Sequence, residues 1–141
     1  MLENYTDVDV FVENLKSRFE AKLNYTYIRN ILISINPFED LGTFTSDLID
    51  EYSNKSLFEL PPHLYAIANQ AYYTMKEETT DQCVLISGES GAGKTEASKQ
   101  ILQFLVAKST DTGKAVMIRC AHTPQSPSSR APPCLHEISH L

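Results

Sequence analysis

One run of eight residues limits what this chain can fold into more than any other feature of its sequence. It reads Gly88-Glu89-Ser90-Gly91-Ala92-Gly93-Lys94-Thr95 and fits the pattern G-x-x-x-x-G-K-[ST]. In such a run, glycines let backbone N–H groups converge on a triphosphate without interference from Cβ atoms. Lys94 would reach the β- and γ-phosphates, and the Thr95 hydroxyl would coordinate Mg²⁺. We call residues 88–95 the phosphate loop and predict that they bind a nucleoside triphosphate with Mg²⁺.

The residues on either side of the phosphate loop have the patterns of a strand and a helix. Before it, Gln82-Cys83-Val84-Leu85-Ile86-Ser87 is a short apolar run that predicts a buried strand, with Cys83 as a small core residue. After it, apolar residues recur at helical spacing, at Ala97, Ile101, Phe104 and Leu105. The positive N-terminal end of that helix would face the phosphates. This order of strand, loop and helix favours nucleotide binding over an incidental glycine-rich turn.

The segments before residue 80 alternate between helix and strand patterns. An amphipathic helix is predicted over residues 7–23, and extended runs follow at 25–28 and 31–35. Helices are predicted again after residue 46 and from residue 61. This alternation is typical of an α/β fold. The apolar stripe of the first helix is predicted to lie in the core, and it comprises Val8, Phe11, Val12, Leu15, Phe19 and Leu23. His63, beside Pro62 at a helix start, is predicted to have a structural role.

Composition excludes several classes of function. The 141 residues, 42% of them hydrophobic, suffice for one ordinary domain. A net charge of −6 argues against a nucleic-acid or anionic-membrane surface. No apolar run approaches the roughly 20 residues that cross a bilayer, and no signal peptide pattern opens the chain. Three cysteines, an odd number, fit a reduced intracellular protein. We therefore expect a cytoplasmic protein without a transmembrane segment and without a nucleic-acid partner.

The amino-acid composition and the hydrophobic periodicity of the chain change near residue 108. Residues 115–141 hold four of the seven prolines and three of the four histidines, and they show no sustained period. Such proline-rich segments cannot build a regular element. We predict a folded part over residues 1–108 and a disordered tail over residues 109–141.

Three segments of the folded part resemble the myosin motor head. The phosphate loop with Glu96 reads GESGAGKTE, which is the wording of that family and is far more restrictive than the general pattern. Residues 25–38 are similar to the family's YTYIG…LVSVNPY segment, and residues 61–68 to its PPHLFAVA helix start. The wording at residues 64–66 resembles the short-headed class I heavy chains. The resemblance implies a P-loop NTPase-type α/β fold, of which this chain is an N-terminal fragment with an incomplete sheet.

The resemblance also implies contacts to the nucleotide. Asn36 and Pro37 would open a loop over the adenine ring, and Phe44 stands where the family has a tyrosine. Ser90 would help to orient water near the γ-phosphate. Thr95 would be the metal ligand, and the whole phosphate loop would hold ATP through Gly88, Glu89, Ser90, Gly91, Ala92, Gly93, Lys94 and Thr95. Arg29 in place of glycine, and Gly42 in place of proline, are departures that bear on nucleotide affinity.

Other parts of a myosin motor have no match among these residues. Hydrolysis needs groups that position water and the metal, which myosins place in the segments NxNSSRFG and DxxGFE. No asparagine follows Asn69, and Asp111 is the only aspartate after the phosphate loop. Segments for actin and for calmodulin-type light chains are also missing, so we assign no catalytic residue. We expect a truncated, weakly ATP-binding segment of an actin-based myosin I motor that is not motile by itself, its parent being cytoskeleton-associated.

Two alternatives remain at this point. A small nucleotide kinase would need strands, a lid and an acidic metal ligand after the loop, where only 46 residues follow. The other alternative is a non-enzymatic truncated isoform or gene-model fragment with no nucleotide turnover, whose tail comes from an unrelated exon or reading frame.

Overall fold

The structure, a computed structural model, describes residues 8–112 of the chain. Within this range it consists of helices and one antiparallel hairpin. In chain order the elements are α1 (Val8–Glu20), β1 (Tyr25–Ile28), β2 (Ile31–Ser34), α2 (Ser46–Ser53), α3 (Leu64–Glu78) and α4 (Lys94–Thr112). The helices and the two extended runs predicted before residue 80, and the helix after the phosphate loop, are confirmed. The last helix continues to Thr112, and the remainder of the predicted tail lies outside the described residues.

The hairpin pairs β1 with β2 and forms a two-stranded sheet within the described range. Tyr25 lies opposite Ser34, and Ile28 lies opposite Ile31, so a two-residue turn joins the strands. The first residue of this turn, Arg29, has a φ of 52°. A non-glycine residue in that region costs roughly 1–2 kcal/mol, so a glycine would suit this position better. The combination of helices with a small sheet is consistent with a partial α/β architecture.

The core lies where α3 packs against α2 and α4. Tyr65 on α3 and Phe104 on α4 have no exposed surface, and their stacked ring centroids are 5.0 Å apart. Ile101 and Phe104 of the apolar stripe predicted for α4 are buried here, together with Leu64, Ala68 and Tyr72 of α3. Each large apolar side chain among them stabilises the fold by about 1.5–3 kcal/mol on burial. The packing therefore fixes α4, and with it the position of the phosphate loop at its start.

His63 caps α3 from within the core. Its Nδ1 accepts a hydrogen bond from the Tyr65 backbone N–H at 3.1 Å, so the ring proton is on Nε2. Nε2 donates that proton to the carbonyl oxygen of Thr43 at 2.9 Å. The rings packed around the imidazole are those of Tyr25, Phe44, Tyr52 and Tyr65. Burial lowers the pKa of His63 to about 4, which keeps the ring neutral. The structural role predicted for this residue is confirmed.

The predicted buried strand before the phosphate loop is wrong. Residues 82–87 have no strand partner, and Leu85 is 88% exposed. Cys83, predicted to lie in the core, is exposed as well. An apolar strand becomes buried when neighbouring strands and helices cover it. Within the described range, β1 and β2 pair only with each other, so no strand covers this segment, and only Val84 and Ile86 of it pack partly against the core.

The predicted burial of the first helix is also wrong. Helix α1 contains no buried residue, and Val12 and Phe19 of its apolar stripe are exposed. The helix is tied to β1 by polar contacts, because Arg18 donates to the Thr26 hydroxyl and to the Tyr25 carbonyl oxygen, each at 2.8 Å. An amphipathic pattern sets which face of a helix is apolar, but packing decides whether that face is covered.

The buried imidazole predicts that acid destabilises the fold. The pKa of His63 is about 4 in the folded chain and near 6.5 when unfolded, so the unfolded state takes up a proton first as the pH falls. The contribution of the neutral His63 ring to the free energy of unfolding is fully present above about pH 6.5 and is lost as the pH falls toward 4. Between pH 7 and pH 5 we expect the free energy of unfolding to drop by about 2 kcal/mol.

Urea denaturation followed by circular dichroism measures this loss. The control is His63→Asn, whose amide can cap α3 but does not titrate. The free energy of unfolding of this variant should fall by about 2 kcal/mol less than that of the parent chain over the same pH range. Equal losses in the two proteins would contradict the assignment.

Candidate functional site

The phosphate loop is an irregular turn that leads directly into α4. Gly91 and Gly93 have φ values of 81° and 92°, which side chains rarely adopt. The Ala92 N–H donates to the Glu89 carbonyl oxygen at 3.2 Å, and the Ala97 N–H donates to the Gly93 carbonyl oxygen at 2.9 Å. The first bond closes the turn and the second opens the helix. The glycines therefore permit the chain to curl back immediately before α4 begins.

Lys94 spans the mouth of this turn. Its Nζ donates to the carbonyl oxygens of Gly88 at 2.7 Å and Glu89 at 2.6 Å. Lys94 is also the first residue of α4, so the contact joins the beginning of the loop to its end. An ammonium has three N–H donors, which leaves one for a phosphate oxygen. The positive charge thus lies at the centre of the loop, where the end of the α4 dipole adds to it.

The phosphate loop is open to solvent. Residues 88–92 and Thr95 are exposed, whereas Gly93 and Lys94 are half-buried. No group of three or more His, Cys, Asp or Glu residues that could hold a metal occurs among residues 8–112. Magnesium in nucleotide sites commonly takes one or two protein ligands together with phosphate oxygens and water. The exposed Thr95 hydroxyl in the first turn of α4 fits that donor set.

Residues 36–45, between β2 and α2, lie against the phosphate loop. The Asn36 Nδ2 donates to the Gly91 carbonyl oxygen at 2.9 Å, although the two residues are 55 positions apart. The Asn36 Oδ1 accepts from the Phe38 N–H at 2.9 Å, which holds the side chain in a local turn. A Cβ on Gly93 would stand 4.0 Å from the Asn36 amide. The structure therefore brings together two segments that were predicted to share a site.

A small cavity of about 130 Å³ lies between these two segments, and its lining mixes apolar side chains with polar ones that include the carboxylates of Glu39, Asp40 and Glu96. Pro37, Phe44, Leu64 and Ala97 are among the residues that line it. Phe44 is half-buried, and its ring centroid lies 5.4 Å from that of His63 and 5.8 Å from that of Tyr65. Phe38 does not line this cavity and is 85% exposed. The cavity offers apolar contacts to a flat ring next to the place where a triphosphate would lie.

Glu96 is the acidic residue in the first turn of α4. Its carboxylate accepts a hydrogen bond from the Gln100 side-chain amide at 3.0 Å and pairs with Lys99 at 3.5 Å. The Gln100 bond, followed by the Lys99 charge, lowers the pKa of Glu96. The carboxylate is therefore ionised at neutral pH, with its charge directed along the helix toward these two partners.

A wider groove of about 1350 Å³ opens on the other side of the phosphate loop. It runs between the unpaired segment 82–87, the strand β2 and the helix α3, with Leu32, Ile67, Leu85 and Ile101 among its lining residues. The groove reaches the phosphate loop at Gly88 and Lys94. Sequence patterns did not predict this open face, because they predicted a covered strand there.

Comparison with known proteins gives a consistent result. Residues 1–124 match the family model described as myosin head (motor domain). The chain is 51% identical over 107 residues to unconventional myosin IC of Drosophila melanogaster, covering 76% of this chain and 10% of that protein. It is 51% identical over 104 residues to unconventional myosin-Ic-A of Xenopus laevis, covering 74% and 10%. It is 55% identical over 97 residues to Myosin-1 of Pyricularia oryzae, covering 69% and 8%. The chain spans about a tenth of the length of these relatives.

None of the helices within residues 8–112 combines the length and the apolar character that a membrane span requires.

The backbone conformation of Gly91 predicts how a methyl group added at this position changes the stability of the fold. Gly91→Ala places a Cβ where φ is 81°, although that Cβ would meet no atom within 4 Å. The cost is therefore backbone strain alone, and we expect the free energy of unfolding to fall by about 1–2 kcal/mol in urea denaturation.

The matched variant is Gly91→Asn, because asparagine tolerates this conformation better than alanine does. It should lose less stability than Gly91→Ala. An alanine variant as stable as the parent chain would contradict the geometry of the loop.

Proposed function

We propose a nucleotide-binding role for this chain, which belongs to the myosin head (motor domain) family. In this proposal residues 88–95 bind the triphosphate of ATP with Mg²⁺, in the N-terminal part of a class I myosin motor. The observation that carries the proposal is the open phosphate loop at the start of α4, which Lys94 spans. The family assignment replaces the small nucleotide kinase considered above.

Binding uses charge and backbone geometry together. The first turn of a helix has N–H groups without partners inside the helix, and in α4 these belong to Lys94, Thr95 and Glu96, where the phosphate loop passes into the helix. A triphosphate oxygen placed there accepts from these N–H groups and from Lys94. The ammonium keeps the loop curled through its two carbonyl contacts while it neutralises phosphate charge. No large rearrangement of the loop is needed for this step.

Thr95 would hold Mg²⁺ through its hydroxyl, and the metal would neutralise phosphate charge when bound. The remaining contacts belong to the segment that begins at Asn36. Asn36 is bonded to Gly91, and the small cavity beside Pro37 and Phe44 would receive the adenine ring. An aromatic side chain at residue 44 keeps a ring face for this contact, but it lacks the hydroxyl of the family's tyrosine.

The wider functions are proposals for the whole protein. Actin-stimulated ATP hydrolysis, movement on actin, calmodulin-type light chains and a cytoplasmic, cytoskeleton-associated location follow from the family. Ser90 is exposed in the phosphate loop, where it would help to orient water. We also propose a P-loop NTPase-type fold, in which the unpaired extended segment 82–87 would take its place in a larger sheet. The domain boundary at residue 108 remains a prediction.

Titration with a fluorescent ATP analogue in the presence of Mg²⁺ tests nucleotide binding. We expect saturable binding that unlabelled ATP displaces, and Lys94→Ala should weaken it at least about tenfold, since an unneutralised phosphate charge costs more than about 1.4 kcal/mol.

The control for this experiment is Lys99→Ala. Lys99 lies in α4 beyond the loop and pairs with Glu96, so its removal should change the affinity less than about threefold. Identical losses in the two variants would show only a general charge effect and would contradict the site.

The metal ligand can be tested separately. Thr95→Val keeps the branched shape and removes the hydroxyl, so it should bind the analogue without Mg²⁺ as the parent chain does. We expect it to lose most of the gain in affinity that Mg²⁺ gives the parent chain. An unchanged Mg²⁺ response would contradict the role of Thr95.

A further inference from the structure

The two nitrogens of His63 serve two different parts of the fold. Nδ1 accepts from the Tyr65 N–H and so caps α3, while Nε2 donates to the Thr43 carbonyl oxygen. Thr43 belongs to residues 36–44, the segment that lines the small cavity beside the phosphate loop. We call residues 36–44 the cavity loop. One buried ring thus joins the cavity loop to a core helix.

The cavity loop is attached to the rest of the fold near its two ends. At the first end, Asn36 bonds to Gly91 of the phosphate loop. At the second end, the Thr43 carbonyl bonds to His63, and the Phe44 ring packs on the His63 and Tyr65 rings. Between them, residues 38–40 and Gly42 are exposed, and Glu39 forms an ion pair with Lys22. Exposed ion pairs contribute little, so the two ends determine where the loop lies.

We propose that His63 is a positioning residue that holds the cavity loop beside the phosphate loop, and so raises affinity for the base and ribose of a nucleotide without touching it. The proposal rests on the proposed nucleotide binding at residues 88–95. It adds that phosphate affinity and base affinity are set by different parts of the chain. Lys94 and α4 govern the first, and His63 governs the second through the Thr43 carbonyl.

Two substitutions separate the two roles of the ring. An asparagine amide can occupy the Nδ1 side of the imidazole, so His63→Asn retains a cap for α3 and loses the bond to Thr43. A glutamine amide reaches further, to the Nε2 side, so His63→Gln retains a donor for Thr43 and loses the cap. Both variants remove the ring and its aromatic contacts, so they serve as controls for each other.

The experiment measures the dissociation constants of Mg·ATP and of inorganic triphosphate for the 141-residue chain and both variants, by isothermal titration calorimetry. Inorganic triphosphate has no base and reports on the phosphate loop alone. For His63→Asn we expect ATP binding to weaken about fivefold or more, with triphosphate binding changed less than about twofold. His63→Gln should bind ATP within about twofold of the parent chain, but it should unfold at a lower urea concentration.

Each opposite result overturns the proposal in its own way. Equal weakening of ATP and triphosphate by His63→Asn would show general damage rather than positioning. Equal affinity of the parent chain for ATP and triphosphate would show that the cavity loop does not contact the base, while phosphate binding would stand. A parent chain that binds neither ligand would overturn the proposed function and this inference together.

A measurement on the unsubstituted chain covers the case in which a variant fails to fold. Imidazole ¹⁵N resonances report the tautomer of His63 and the strength of its hydrogen bonds. We expect the Nε2-protonated tautomer, with an Nε2 shift that changes on addition of Mg·ATP and stays constant with Mg²⁺ and inorganic triphosphate. An Nδ1-protonated ring, or the same response to both ligands, would overturn the proposal.

Discussion

The stacking of Tyr65 on Phe104 supports the whole candidate site, because it fixes α4 against α3. Both side chains are fully buried, and Ile101 joins them from the same face of α4. Removing a buried ring of this size typically costs about 3–5 kcal/mol. Since α4 begins at Lys94, its orientation decides where the phosphate loop lies and where the positive end of the helix points. The site is therefore positioned from its helical side.

The strand side of the site is organised differently. Residues 82–87 lead into the phosphate loop without a pairing strand, and their side chains line an open groove. The loop keeps its shape through contacts of its own, namely Lys94 to the Gly88 and Glu89 carbonyls and Asn36 to the Gly91 carbonyl. In these contacts the side chains donate to backbone carbonyl oxygens, so they do not use the backbone N–H groups of the loop. The proposed phosphate-binding surface is thus built from one helix and from the contacts of two side chains, Lys94 and Asn36.

What the sequence predicted was local, and what it missed depended on distant parts of the chain. The phosphate loop and α4 follow from glycine, lysine and apolar residues within about twenty positions, and α3 follows from the prolines just before it. The segment around Leu85 has the composition of a buried strand, but burial requires neighbours that the described residues do not supply. For the same reason the stripe of α1 predicted a covered face that is exposed. The Asn36 to Gly91 bond spans 55 positions, and no local pattern indicates it. The motif predicted the candidate ligands, whereas the contacts that orient them required the structure.

The proposed nucleotide binding depends on backbone N–H groups at the start of α4, which would donate to phosphate oxygens. Residue-resolved amide hydrogen exchange, with and without Mg·ATP, tests this most directly. Exchange at Gly91 and at residues 93–96 should slow at least about tenfold when the nucleotide binds, because these N–H groups acquire phosphate acceptors. Exchange that is unchanged at these residues, with slowing confined to the groove around Leu85, would contradict it.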